Sequence, residues 1–139
     1  MAKKISKTVS VGFVALGCPK NIVDSEKMLG LIGDSGLVIS SDADNADVVI
    51  INTCGFIAPA RAEAIEAIKA ALKRKKLGAV KKVIVAGCLP QRIGRELLND
   101  APGIDAIVGL GDRDNIADII RKTLDSKRSL QYLPDYKLG

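Results

Sequence analysis

Histidine is absent from this 139-residue chain, tryptophan is absent too, and the aromatic total is two tyrosines and two phenylalanines. Without histidine the chain lacks the commonest general base and the commonest transition-metal ligand. Serine–histidine and cysteine–histidine catalysis within these residues are therefore excluded. At 3% aromatic content there are few rings on which unpaired bases could stack, and direct nucleic-acid binding by this domain is not expected. No Cys-x-x-Cys pair occurs, which removes the usual signature of structural zinc. The cysteine count is three, and an odd number argues against a disulfide framework and for a reducing compartment.

Other absences narrow the choice further. No apolar stretch approaches the ~20 residues of a membrane span. The first ten residues are basic, as a signal peptide would be, but the apolar run from Val11 ends at Cys18-Pro19-Lys20 with no small-residue cleavage pattern. A cytoplasmic protein without membrane contact is expected. Gly109-Leu110-Gly111-Asp112-Arg113-Asp114 lacks the third glycine of a dinucleotide fingerprint, and no Gly-Lys-Ser/Thr sequence exists for a phosphate loop. A cysteine phosphatase would need an arginine six positions after its nucleophile, where Cys18 has Asp24 and Cys54 has Ala60.

What is present is an alternation of apolar runs and amphipathic stretches. At 47% hydrophobic, a chain of this size makes one domain that buries roughly 68–70% of its unfolded surface. Val9–Leu16, Leu37–Ser40, Val48–Asn52, Val83–Ala86 and Ile104–Val108 read as five strands. The near-continuous apolar character of the longer ones marks strands buried on both faces. Between them lie helical patterns: Asn21 to Ile32 with early acids and a stop at Gly33 or Gly36, an alanine-rich helix after Pro59, a short helix from Pro90 to Leu98, and a final one from Asp112 to Leu124. The alanine-rich helix places Ala64, Ile65, Ile68, Ala71 and Leu72 at 3–4 spacing, and the last does so with Ile116, Ile119, Ile120 and Leu124. Strand–helix alternation predicts an α/β fold: an open, mainly parallel five-stranded sheet with helices on both faces, of the Rossmann or flavodoxin-like kind.

The formal charge is +5, from 21 basic and 16 acidic residues, and much of the excess lies in Lys73-Arg74-Lys75-Lys76 and Lys81-Lys82. A cationic cluster is compatible with a ribosome or RNA partner. Its ordinary reading is a solvated helix end whose cations complement the macrodipole.

The cysteines carry the chemistry. Cys18, Cys54 and Cys88 each follow an apolar run, 36 and 34 positions apart (18 to 54, 54 to 88), about the length of one strand–helix–strand unit. In a parallel sheet the carboxyl ends of the strands share one edge, where ligands bind. A single buried cysteine is ordinary core filling. All three falling at strand tips by chance would be on the order of one in a thousand, taking such tips as roughly a tenth of positions. Three thiolates without histidine suit a cubane 4Fe–4S cluster with one iron free of protein ligands. Lys20, Arg61 and Arg92 lie near that predicted edge, either offsetting charge or simply solvated.

These residues also form familiar motifs. Gly17-Cys18-Pro19-Lys20-Asn21-Ile22-Val23-Asp24-Ser25-Glu26 closely resembles the opening motif of the radical-SAM methylthiotransferases. Asn52-Thr53-Cys54-Gly55-Phe56-Ile57 and Gly87-Cys88-Leu89-Pro90-Gln91-Arg92 resemble that family's second and third cysteine motifs. Pro19-Lys20 and Gly55-Phe56-Ile57 resemble the branch that methylthiolates the β-carbon of an aspartate in a small-subunit ribosomal protein. The tRNA-modifying branch typically has Gln-Met after its first cysteine and a serine after its second. The resemblance assigns Cys18, Cys54 and Cys88 to an auxiliary 4Fe–4S cluster serving in sulfur delivery.

The chain departs from the family in two places. Ala58-Pro59-Ala60-Arg61-Ala62-Glu63-Ala64 lacks a Glu-Ser pair near its end, and the radical-SAM Cys-x-x-x-Cys-x-x-Cys motif is absent. The resemblance thus implies an N-terminal extension over 1–9, an iron–sulfur domain over 10–125 and a connector over 126–139. That connector would lead to a radical-SAM domain and a C-terminal TRAM-type domain of the same polypeptide, with a second 4Fe–4S cluster and S-adenosylmethionine. Alone, this chain is expected to be inactive. Two other readings remain: the same domain from a tRNA (isopentenyladenosine) methylthiotransferase, and a non-catalytic α/β binding module with inert cysteines.

Overall fold

A computed structural model of the chain describes residues 9–15, 19–40, 46–53, 58–87, 101, 103–109, 115–125 and 130–132. In chain order the elements are β1 (Ser10–Ala15), α1 (Pro19–Asp34), β2 (Val38–Ser40), β3 (Val48–Thr53), α2 (Ala58–Leu77), β4 (Lys82–Gly87), β5 (Ala106–Val108), α3 (Ile116–Asp125) and β6 (Leu130–Tyr132). The strands form one sheet in the order β2-β1-β3-β4-β5-β6, and every neighbouring pair is parallel. The expected open parallel α/β architecture is present, with one strand more than the five read from sequence. That sixth strand falls inside the stretch 126–139 expected as a connector. The expected helix from Pro90 to Leu98 lies outside the described residues.

Central strands account for the apolar runs. All six residues of β3 are buried, as are five of six in β4 and all three in β5. Because successive strand side chains point to opposite faces, β3 feeds two cores. Val48 and Ile50 join Met28 and Ile32 of α1 and Ile116, Ile119 and Ile120 of α3 on one face. Val49 and Ile51 join Ala64 and Ile68 of α2 on the other. Helices therefore cover both faces, as the alternation predicts.

The start of the first helix differs from expectation, and its stop falls at the second of the two glycines expected. Helix α1 starts at Pro19, so Asp24 and Glu26 fall beyond its first turn, which carries no acid. Proline's fixed φ and missing N–H suit the first helical position. At the other end Gly36, not Gly33, takes the positive φ, +91°, as the chain leaves the helix.

Two acids fasten the amino ends of the strands. Asp47 accepts a hydrogen bond from the Ser10 amide through Oδ2, while the Ser10 hydroxyl accepts one from the Asp47 amide, both at 3.0 Å. Asp105 accepts the Val83 amide at 2.8 Å, and its own amide donates to the Val83 carbonyl at 2.8 Å.

Candidate metal centre at the carboxyl edge of the sheet

Three neighbouring strands, β1, β3 and β4, end together. Ala15 of β1 pairs with Asn52 of β3, Asn52 with Ala86 of β4, and Thr53 with Gly87. At about 4.8 Å between adjacent strands, the tips of β1 and β4 lie about 10 Å apart with that of β3 between them. Cys54 follows Thr53 directly, Cys88 follows Gly87 directly, and Cys18 comes three positions after Ala15. The three cysteines themselves, with Arg92, lie outside the described residues. Lys20 and Arg61 fall within the first four positions of α1 and α2. Among the described residues no group of three or more metal-ligating side chains occurs.

The described part of this edge is dry and tightly tied. Asn52 and Thr53 are fully buried, the only buried polar side chains among the described residues besides Thr123. The Thr53 hydroxyl donates to the Ala86 carbonyl at 2.9 Å, linking the tip of β3 to that of β4. Gly87 adopts φ +104°, and a Cβ there would collide with the Thr53 carbonyl and stand 2.7 Å from Asn52 Oδ1. Only glycine fits both the backbone conformation and the space. A glycine stands beside each cysteine in the sequence (Gly17, Gly55 and Gly87), whereas Asn52 and Thr53 were not singled out as structural residues; their only signal is two polar residues ending an otherwise apolar run.

Helices add a field of one sign. Helices α1 and α2 begin one and four positions after Cys18 and Cys54, and neither carries an acid in its first turn. Their positive dipole ends are thus not neutralised by their own side chains and favour an anionic group at this edge. A thiolate-ligated iron–sulfur cluster is such a group, so the donor set and its surroundings fit it.

Fold and edge together define an open parallel α/β domain, a class in which ligands bind along the carboxyl ends of the strands. The chain belongs to the family described as Uncharacterized protein family UPF0004, which matches residues 10–109. It is similar to the ribosomal protein uS12 methylthiotransferase RimO of Symbiobacterium thermophilum, 42% identical over 130 residues, covering 94% of this chain and 27% of that protein. Proteins of the same name from Trichlorobacter lovleyi and a Thermoanaerobacter species are 43% and 46% identical, covering 90% and 88% of this chain and 28% of each relative. The chain thus spans little more than a quarter of the length of these relatives.

Proposed function

We propose that the chain is the N-terminal domain of a ribosomal protein uS12 methylthiotransferase, and that Cys18, Cys54 and Cys88 together hold a 4Fe–4S cluster with one iron free of protein ligands. One observation carries the metal reading: the strands leading into the three cysteines are neighbours in register and end at one edge. The likeness to the three methylthiotransferases supports the assignment of substrate and reaction.

In this reading the thiolates supply the ligands, the two helix N-termini offset the negative charge, and Asn52 and Thr53 exclude water beneath the site. A bound cluster of this kind offers an open coordination position for the sulfur to be transferred. S-adenosylmethionine and a second cluster belong to the proposed remainder of the polypeptide, since no Cys-x-x-x-Cys-x-x-Cys motif occurs here. The proposed domain begins near residue 10 and, with β6 paired to β5, takes in residues 130–132 of the stretch expected as a connector; its proposed setting is cytoplasmic, where the ribosomal substrate is found. Among the described residues no helix is long and apolar enough to cross a membrane.

Anaerobic reconstitution of the chain with iron and sulfide tests the metal reading. About four irons per chain, and loss of that iron in each of Cys18→Ala, Cys54→Ala and Cys88→Ala, is the expected result. Colourless protein with three freely titrating thiols overturns it in favour of a binding module. A full-length enzyme that modified a tRNA adenosine and left the ribosomal protein untouched would overturn the substrate assignment alone.

A further inference from the structure

Of the three strands that end together, the middle one carries an asparagine where its neighbours carry alanine. Asn52 of β3 pairs in register with Ala15 of β1 on one side and Ala86 of β4 on the other. Asn52 stands two positions before Cys54, Ala86 two before Cys88, and Ala15 three before Cys18. We propose that Asn52 is a positioning residue of the metal centre, its neutral carboxamide setting the spacing of the strand ends that deliver the cysteines. This inference rests on the metal reading and adds to it a residue that is not itself a ligand.

Burial alone does not select asparagine at this position. The four residues before it are Val48-Val49-Ile50-Ile51, and all six residues of β3 are buried. Alternation puts Asn52 on the face of Val48 and Ile50, the side packed by α1 and α3. Valine or isoleucine there would extend that core, whereas an amide must first be taken out of water at a cost. Thr53, the other polar residue of the strand, is accounted for by the hydrogen bond its hydroxyl donates to the Ala86 carbonyl. Asn52 calls for a different account.

Its neighbours supply one. Ala15 and Ala86 end at their β-carbons, so in this row of three side chains only Asn52 reaches further. Its Oδ1 lies against Gly87, where a Cβ would stand 2.7 Å from it. Gly87 holds φ +104°, so the chain turns out of strand geometry at the residue before Cys88. The carboxamide thus buttresses that turn from the β3 side, two positions before the strand reaches its own cysteine. A side chain ending at Cβ would leave the turn unsupported there.

Charge separates asparagine from aspartate, which has the same shape. A thiolate-ligated cluster is anionic, and a fully buried carboxylate beneath it would add like charge where the dielectric is low. A carboxamide keeps the planar polar shape without net charge. It also carries two N–H donors, which a carboxylate lacks, and donors rather than acceptors suit sulfur ligands that bear negative charge. Neutrality at Asn52 matches the absence of acids from the first turns of α1 and α2.

Two measurements on the 139-residue chain test the inference. Chelator titration after anaerobic reconstitution with iron and sulfide reads iron affinity, and urea unfolding of the iron-free chain reads stability. Asn52→Leu should lower iron affinity by about 10–100-fold, as is typical when a group that orients metal ligands is lost. Its iron-free urea midpoint should be unchanged or higher. Asn52→Asp should lose affinity over a similar range of about 10–100-fold and shift the reduction midpoint of the bound cluster to lower potential, a response to charge that a role in the fold alone would not produce. Ile68→Val, in the core on the other face of the sheet, should do the reverse, lowering the urea midpoint and leaving iron affinity unchanged. Should Asn52→Leu fail to fold by circular dichroism, Asn52→Ser, shorter but still polar and neutral, should show the same loss of affinity. Asn52 variants that hold about four irons as tightly as the unaltered chain overturn the inference and leave the metal reading standing. An unaltered chain that holds no iron overturns the metal reading and this inference with it. A loss of affinity matched in every Asn52 variant by a comparable fall in iron-free stability also overturns it, because the residue then serves the fold alone.

Discussion

Gly87, the last residue of β4, approaches Asn52 of β3 so closely that a methyl group on its α-carbon would stand 2.7 Å from Asn52 Oδ1. The two strands converge at their tips, one position before each yields a cysteine. Gly87→Ala should be severely disruptive, because the new Cβ meets the Thr53 carbonyl and the backbone holds φ +104°. Strain of this kind costs on the order of 1–3 kcal/mol before any collision is counted. Urea unfolding is expected to show a loss of at least about 2 kcal/mol. A loss under about 0.5 kcal/mol would mean the strand tips have room the structure does not show.

Thr53 offers a gentler probe of the same edge. Its buried hydroxyl donates to the Ala86 carbonyl at 2.9 Å, so Thr53→Val keeps the shape and removes the donor. The expected cost is about 1–2 kcal/mol, read as a lower urea midpoint with unchanged slope. Thr53→Ser retains the donor but loses the methyl and should fall between. If the metal reading is right, the valine variant also retains less iron after reconstitution, since Cys54 is the next residue.

Helix α2 predicts opposite responses on its two faces. Ile68 is completely buried among Val49, Ile51, Val83 and Val85, and Ile68→Ala should cost about 2–5 kcal/mol. Lys73, five positions on, is exposed and its replacement by Ala should change stability by no more than about 0.5 kcal/mol. Thermal or urea unfolding of the two variants side by side checks the assignment. Comparable losses would place the helix in a different rotation.

Much of this architecture was legible because central parallel strands lack a polar face. The runs Val48–Asn52 and Val83–Ala86 read as strands for the reason the structure gives, burial on both sides of the sheet. Their register sets side by side the strand ends that precede Cys54 and Cys88, and the near-equal spacing of 36 and 34 positions between cysteines hinted at it. The edges were harder. Strand β6 is three residues long, Leu130–Tyr132, and too short to show a period. Strand β2 has Val38 and Ile39 about half exposed, so its apolar residues follow from its place at the sheet margin rather than from a core. The start of α1 was read two residues late because its acids looked like first-turn residues, when Pro19 already begins the helix. Asp47 and Asp105 gave no signal: Asp105 fell inside the run Ile104–Val108 read as a strand, and an isolated acid beside a strand looks the same whether or not it fastens a neighbour.

Asp105 is the most informative of those unread residues. Its carboxylate accepts the Val83 amide at 2.8 Å and both oxygens contact Lys75 Nζ, at 2.9 and 3.0 Å, with Lys82 Nζ at 3.8 Å. One side chain thus ties β4, α2 and the entry to β5. The ion pairs are partly exposed and contribute little by themselves; the amide bond matters more, because an unmet buried donor costs about 1–3 kcal/mol. Asp105→Ala is therefore expected to lose about 1–3 kcal/mol, with much of the loss unchanged between low salt and 1 M salt. Asp105→Asn keeps an acceptor for Val83 and removes the charge, so it should recover most of the stability. Equal losses in the alanine and asparagine variants would assign the role of Asp105 to its charge.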